Sequence, residues 1–328
     1  MQPSGEKKAR SGFGALARTW GVRLIGPALL IYLVVRADFG RILAELGQAR
    51  PLPLIIALLV LTWPPILARW WRWRVLNRAL GVRIAPGREW LTHLAAAALG
   101  LVTPGRAGEF VKLHLLERLG VPTSRSFASV VGDRLADAVW LLTAGAAALA
   151  WHLARIGRDA AWVWWGLGAL IMAGAAGGWL ALGLARRLKT RLHGRLAPDS
   201  RRGKLLGWLG EAWSGFSALG WRAWTAAGVL TVLAWLLQML QGWVFLQALG
   251  LAIGPLDLVA ALTLAALLAL LPVSVAGIGS RDLALVYFFG LAGVAPSGAL
   301  AYSFCIILTV LVCLAGGALA AWRLPSRD

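Results

Sequence analysis

Apolar residues in this chain fall in long, nearly unbroken runs, with few of the short polar and apolar alternations that mark half-buried soluble elements. The runs are Trp20–Val35, Leu52–Trp71, Leu135–Trp151, Ala160–Ala185, Trp224–Leu249 and Ser297–Trp322. A helix needs roughly 20 apolar residues to cross the hydrocarbon core. The pattern therefore predicts six crossing helices, the first of them short and interrupted by Gly26-Pro27. Two further runs, Leu91–Val102 and Leu258–Leu271, are too short to cross. The first stops at Thr103-Pro104-Gly105 and the second at Pro272. Each is followed by a second helical segment, reaching Leu119 in one case and about Gly290 in the other. A short apolar segment that stops at Pro or Gly and then returns reads as a re-entrant half-helix.

Loop charge orients these elements. Three regions are strongly basic: the segment up to Arg23 at net +4, Arg69–Glu89 at +5 and Arg186–Arg222 at +7. They alternate with nearly neutral loops and fall on one side of the membrane if each short run dips in and returns. The positive-inside rule makes that side, with both termini, cytoplasmic in an inner membrane. The first hairpin then enters from the cytoplasm and the second from outside. Full crossing of either hairpin would keep the same parity, so both models stay open. The fold expected is all-α integral membrane, with about six transmembrane helices plus two re-entrant helical hairpins in an inverted repeat. The repeats cover about residues 52–151 and 224–322 of a single domain, 20–324, between a basic cytoplasmic tail, 1–19, and a short tail, 325–328. Inverted repeats with broken helices are common in secondary transporters. The plainer alternative is that Pro and Gly are simply frequent in membrane helices.

Composition agrees with a lipid solvent. Of 328 residues, 59% are hydrophobic and 14% charged, against about a quarter charged in soluble domains. The net charge of +19 lies between apolar runs, so topology explains it and nucleic acid is excluded as a partner. The basic N-terminus precedes an apolar run with no small-x-small cleavage site, so an uncleaved first span is expected. Tryptophans near span ends, among them Trp70, Trp71, Trp73, Trp162, Trp164, Trp165, Trp221, Trp224 and Trp322, read as an aromatic belt. The basic stretch Arg186–Arg202 is either a topology determinant or an attractor of anionic headgroups. Cys305 and Cys313 lack zinc or disulfide spacing and read as packing residues.

Few residues remain for chemistry. Arg106, Glu109 and Lys112 open the second half of the first hairpin, and Glu109 and Lys112 share a helix face. Asp133, Arg134 and Asp137 start a crossing helix, with the two aspartates four apart on one face. Arg281 and Asp282 sit at the tip of the second hairpin, beside Ser274, Gly277, Gly279 and Ser280. With Thr103, Pro104, Gly105 and Gly108 these form the candidate substrate-binding set. Charge inside a bilayer is costly unless paired or wet. A broken helix exposes backbone N–H groups that attract anions, and glycine allows close approach. Arg106 or Arg281 could hold a phosphate on its guanidinium fork. Asp133 or Asp137 could balance an arginine or carry a proton. The competing reading is that these charges pair with one another and lock helices together. His93, His114, His152 and His193 are scattered, and no catalytic, metal or nucleotide-binding constellation is present, so no cofactor is expected.

Three stretches resemble the flippase-like membrane domain of lysylphosphatidylglycerol synthases. The first is Arg69-Trp70-Trp71-Arg72-Trp73-Arg74-Val75-Leu76. The second is Leu101-Val102-Thr103-Pro104-Gly105-Arg106-Ala107-Gly108-Glu109-Phe110-Val111-Lys112 with Gly132-Asp133-Arg134-Leu135-Ala136-Asp137. The third is Leu271-Pro272 through Gly277-Ile278-Gly279-Ser280-Arg281-Asp282. The resemblance covers about Gly21–Leu324 and is carried mainly by the middle stretch. It implies an inner-membrane protein that moves lipids or lipid-linked sugars between leaflets. It also implies a stand-alone member, because the soluble lysyl-transferase domain that follows in founding members has no counterpart before Asp328. Thr103 departs from the pattern, where an apolar residue is more usual before the proline.

The leading expectation is a lipid flippase with no enzymatic activity. An anionic or isoprenoid-type lipid headgroup would lie between the hairpin tips, and the two repeats would rock to give alternating access. Two alternatives stay open: an accessory subunit of an envelope-lipid pathway, and a membrane-embedded headgroup transferase using Asp133 or Asp137 as base. The partners expected are membrane lipids, with a second copy of the chain or an envelope-lipid synthase left open.

Overall fold

A computed structural model describes residues 26–169, 172, 211, 213–269 and 277–324. The tails 1–19 and 325–328, residues 20–25 of the first run, the fourth run past residue 169 apart from Met172, the basic loop 186–202 and Ser274 lie outside the described residues. Every regular element among the described residues is a helix. Four helices are long and apolar enough to cross a membrane: Pro51–Ala79 (α3), Thr123–Arg155 (α6), Trp221–Leu249 (α7) and Pro296–Arg323 (α10). Each contains one of the predicted spans and extends it by one or more residues at its polar ends. The outward side chains of these helices are apolar, as with Leu52, Ile55, Leu59 and Val60 on α3 and Leu308, Leu311 and Leu319 on α10. An aqueous protein would not leave such stripes uncovered. The chain is an all-α membrane protein.

The shorter elements are Gly26–Ala37 (α1), Phe39–Gly47 (α2), Pro86–Val102 (α4), Val111–Arg118 (α5), Pro255–Ala269 (α8) and Ser280–Leu291 (α9). A 3-10 turn, Pro104–Phe110, joins α4 to α5. The two runs too short to cross correspond to α4 and α8, each followed by a second helix, α5 and α9; the predicted break at Pro272 lies outside the described residues. Local chemistry sets these ends. Gly120, at φ +78, closes α5 while the Val121 N–H bonds the Leu116 carbonyl at 3.1 Å, the usual glycine stop. Gly250 closes α7 in the same way, with Leu251 bonding Leu246 at 3.0 Å.

Two compact units emerge. One comprises residues 1–62, 97–108 and 239–316. Its core joins Leu33, Ile42, Phe245, Leu246, Leu258, Leu285, Phe289, Leu300, Tyr302 and Cys305. Gly242 lets α7 lie against its neighbours, because a Cβ there would meet the Tyr302 hydroxyl at 2.6 Å and Leu262 at 2.8 Å. In this unit α3 contains a five-residue π-helical stretch, Ile56–Val60, after its first five residues. Just beyond it, Pro64 and Pro65 lack the N–H groups that would bond the Val60 and Leu61 carbonyls. The Leu61 N–H bonds Ile56, five residues back, at 3.0 Å. The freed Ala57 carbonyl accepts from the Gln241 side chain at 2.9 Å, which also reaches Thr62 at 2.9 Å. A polar residue in the middle of α7 is thereby satisfied without water.

The second unit comprises residues 63–96, 109–238 and 317–328. Its apolar packing joins Leu76, Leu80, Val82, Ala128, Leu219 and Ala227, with Trp70, Trp73 and Leu116 alongside. This corrects the aromatic-belt reading at one place. Trp70 and Trp73 are buried, and Trp71 alone of the three is exposed. Residues 70 and 73 lie three apart on the inward face of α3, whereas Trp71 projects the other way. Trp162, Trp164, Trp165, Trp221 and Trp322 are exposed, as expected for a belt.

Candidate functional site

The sequence-predicted residues fall into two groups, one in each unit. In the second unit, α3, α5 with the last residues of the turn before it, and α6 bring together six charged side chains, three of each sign. Arg72 is fully buried. Its Nε donates to Asp133 at 2.7 Å, and its Nη1 and Nη2 grip both Asp137 oxygens at 2.6 and 3.0 Å. Its Nη1 also reaches the Thr231 hydroxyl at 2.9 Å. Lys112, equally buried, bonds Asp133 at 3.2 Å and lies 3.6 Å from Glu109. Arg134 closes the network, reaching Glu109 and Asp133 at 2.9 Å and Asp137 at 3.1 Å.

The six charges sum to zero, and Arg134 Nε is buried without a hydrogen-bond partner among the described residues. Buried ions are tolerated when paired with good geometry and with their remaining donors and acceptors engaged. Asp133 and Asp137 do share a face, as their spacing predicts, and that face is turned to one guanidinium. The local reason is the four-residue step on α6: 3.6 residues per turn stack the two carboxylates about one turn apart. Lys112 also lies over the Trp73 ring at 4.7 Å from its centroid, a favourable place for a desolvated cation. The cluster therefore fastens three helices. For Glu109, Lys112, Asp133, Arg134 and Asp137, mutual pairing is what the geometry displays.

Sequence reasoning missed three members. The sequence places Arg72 only in a basic helix end, whereas in the fold it is the hub. Its burial was legible in the three- and four-residue rhythm Ala68, Arg72, Trp73, Leu76, Asn77, all of which face inward. Thr231, alone in an apolar run, carried no signal that could place it. His93, one of the scattered histidines, is buried beside the rings of Trp73 and Trp90, with centroids 6.0 and 6.4 Å away. Its Nδ1 is buried without a hydrogen-bond partner.

The first unit holds both helix breaks. At the first, Thr103 is an organising residue. Its hydroxyl donates to the Leu99 carbonyl at 2.8 Å and accepts the Gly108 N–H at 2.6 Å. That recovers two backbone groups orphaned where α4 ends. Gly108 is required there, because a Cβ would lie 2.3 Å from the Leu99 carbonyl oxygen. Arg106 has the left-handed φ of +58, a conformation that costs a non-glycine residue about 1–2 kcal/mol. Its side chain is half-buried.

At the second break, Gly279 has φ +88 and its N–H donates to Asp282 Oδ2 at 2.7 Å. The same carboxylate, through Oδ1, accepts from Arg281 Nε and Nη2 at 3.0 and 2.8 Å and from the Ser303 hydroxyl. Arg281 Nη2 also reaches Ser303 at 3.0 Å. Arg281 and Asp282 are both buried, so this pair ties α9 to α10. The Ser280 hydroxyl turns back to the Gly277 carbonyl at 3.5 Å. Pro104 and Gly105 lie in the 3-10 turn. Among the described residues no group of His, Cys, Asp and Glu is placed to hold a metal ion.

No curated protein matches the chain. The family model of the lysylphosphatidylglycerol synthase TM region matches residues 19–317. That match takes in both helix breaks and the buried ionic cluster, and the chain belongs to this family of membrane proteins with a lipid-related function.

Proposed function

We propose that the protein is a lipid flippase of the inner membrane, moving a phospholipid or an isoprenoid-linked lipid between leaflets. One observation carries the reading. The two helix breaks are about 170 residues apart in sequence, and residues 97–108 and Gly277–Asp282 belong to the same compact unit. Corresponding broken segments of this kind mark the substrate site in transporters built on inverted repeats. In this reading α4 with α5, and α8 with α9, are re-entrant hairpins that enter from opposite faces, and both termini are cytoplasmic. Half-buried Arg106, at a tip, is the contact for an anionic headgroup, and the tails stay in the bilayer. Arg281 shapes the second tip through Asp282 and Ser303 and acts by position. Asp133 and Asp137 are both tied to Arg72, which argues for a scaffold role and against use of either as a base for headgroup transfer.

The test is reconstitution of the purified full chain into liposomes carrying a fluorescent anionic lipid. Exchange between leaflets well above that of protein-free liposomes, lost in Arg106→Ala at normal insertion, is the expected result. Exchange equal to that of protein-free liposomes would overturn the reading. So would a covalently altered lipid, which would favour a transferase.

A further inference from the structure

The arginine-rich end of α3 carries a feature outside both groups described above. Arg74, Arg78, Val82, Arg83, Ile84 and Glu89 line a cavity of about 430 Å³, formed where α3 ends and the loop returns to α4. All six residues lie in the second unit. That volume is within the range of small-molecule sites, roughly 300–1,000 Å³.

We propose that this cavity binds a phosphate group, as a phosphomonoester or diphosphate. The charge inventory carries the argument. Glu89 is the acidic member of the lining, and its two oxygens are already engaged. Oε2 accepts from Arg74 Nη1 at 2.9 Å, and Oε1 accepts from Asn77 Nδ2 at 2.7 Å. Asn77 is held in turn by the Ser129 hydroxyl. Glu89 therefore balances Arg74 and is fixed in place by a buried chain of hydrogen bonds.

Arg78 and Arg83 remain. Both are exposed and neither has a hydrogen bond or ion pair to a described residue. Arg78 acts electrostatically on Glu89 as Arg74 does, so one carboxylate faces three guanidinium groups and the lining keeps an excess of two positive charges; Arg74 Nε is buried without a hydrogen-bond partner. Two such charges match a phosphomonoester, which carries about −1.5 to −2 near neutrality. The planar fork of arginine fits phosphate oxygens bidentately. A carboxylate would satisfy one arginine and leave the other. Val82 and Ile84 add an apolar wall, suited to the carbon-bearing side of a phosphate ester. The proposal does not rest on lipid transport. The ligand chemistry is shared by a lipid headgroup bearing a terminal phosphate and by a free phosphate or diphosphate from solution.

The experiment uses the purified full chain in neutral detergent, titrated calorimetrically at constant ionic strength. The probes are inorganic phosphate, inorganic pyrophosphate and dihexanoyl phosphatidic acid. Wild type should bind at least one of them saturably, one per chain. The double variant R78A/R83A should bind about tenfold or more weaker, as expected for losing charge-assisted bonds. Arg158→Ala, at an exposed arginine elsewhere in the same unit, should bind as wild type does. Should R78A/R83A unfold earlier without ligand, R78K/R83K supplies the comparison: it keeps charge, loses the fork, and should weaken binding severalfold. Saturation by phosphate or pyrophosphate identifies the soluble source; saturation by the lipid alone identifies a headgroup. The proposal fails if no probe saturates. It also fails if a folded double variant binds as tightly as wild type.

Discussion

Arg72 and Asp137, 65 residues apart in sequence, meet fork to fork inside the protein, with paired distances of 2.6 and 3.0 Å. The same guanidinium holds Asp133 at 2.7 Å. Removing Arg72 leaves two buried carboxylates short of their main partner, although Lys112 and Arg134 still contact them. Breaking a buried pair from one side costs about 3–5 kcal/mol. Arg72→Ala should therefore lower the thermal midpoint in detergent sharply or abolish a monodisperse peak on size exclusion. Combining Arg72→Met with Asp137→Leu should cost less than the two single changes added together, because the pair is removed as a unit. Additive losses would mean that the two residues act independently.

Thr103 uses its hydroxyl twice within the turn, donating to Leu99 and accepting from Gly108. Thr103→Ser should retain near wild-type stability, whereas Thr103→Val should lose about 1–3 kcal/mol. Thermal unfolding of the two variants side by side tests this. Equal stability would show that the turn does not depend on the hydroxyl.

Gly108 and Gly279 are expected to tolerate no side chain. A Cβ on Gly279 would come within 2.1 Å of the Gly26 carbonyl oxygen, and the residue also holds φ +88. Gly279→Ala and Gly108→Ala should each reduce the yield of folded protein. Gly290→Ala, with open space around its Cβ, should match wild type. Fluorescence-detected size exclusion would read all three.

Arg106 separates fold from function. Glycine adopts its left-handed φ without strain. Arg106→Gly should relieve about 1 kcal/mol of backbone strain, offset by loss of the side chain's own contacts, so the thermal midpoint should stay near that of wild type while leaflet exchange of an anionic lipid is lost. If midpoint and exchange fall together, Arg106 belongs to the fold. If exchange persists, the headgroup is held elsewhere.

Much of the helical layout was legible because lipid makes local sequence decisive. Inside a bilayer every backbone polar group must bond within its own segment, so long apolar runs become helices. Ser297–Trp322 was read from hydropathy and α10 spans Pro296–Arg323. The break after Val102 and the second helix ending near Gly290 followed from Pro and Gly alone. The π-helical stretch of α3 is not legible in its own segment, since its freed Ala57 carbonyl is completed by Gln241 from another helix.

The charged residues divide the same way. Their types and spacing singled out Glu109, Lys112, Asp133, Arg134 and Asp137, because charge is rare and costly in an apolar chain. Which charge meets which was settled by tertiary structure. Arg72 finds Asp133 across 61 residues, and Arg281 turns inward to Asp282 and Ser303. The burial of Trp70 and Trp73 was decided likewise, by which face of α3 found a neighbour. Hydropathy is a property of each segment and can be read along the chain. The partner of a buried charge depends on which helices pack together, and one segment's sequence does not contain that information.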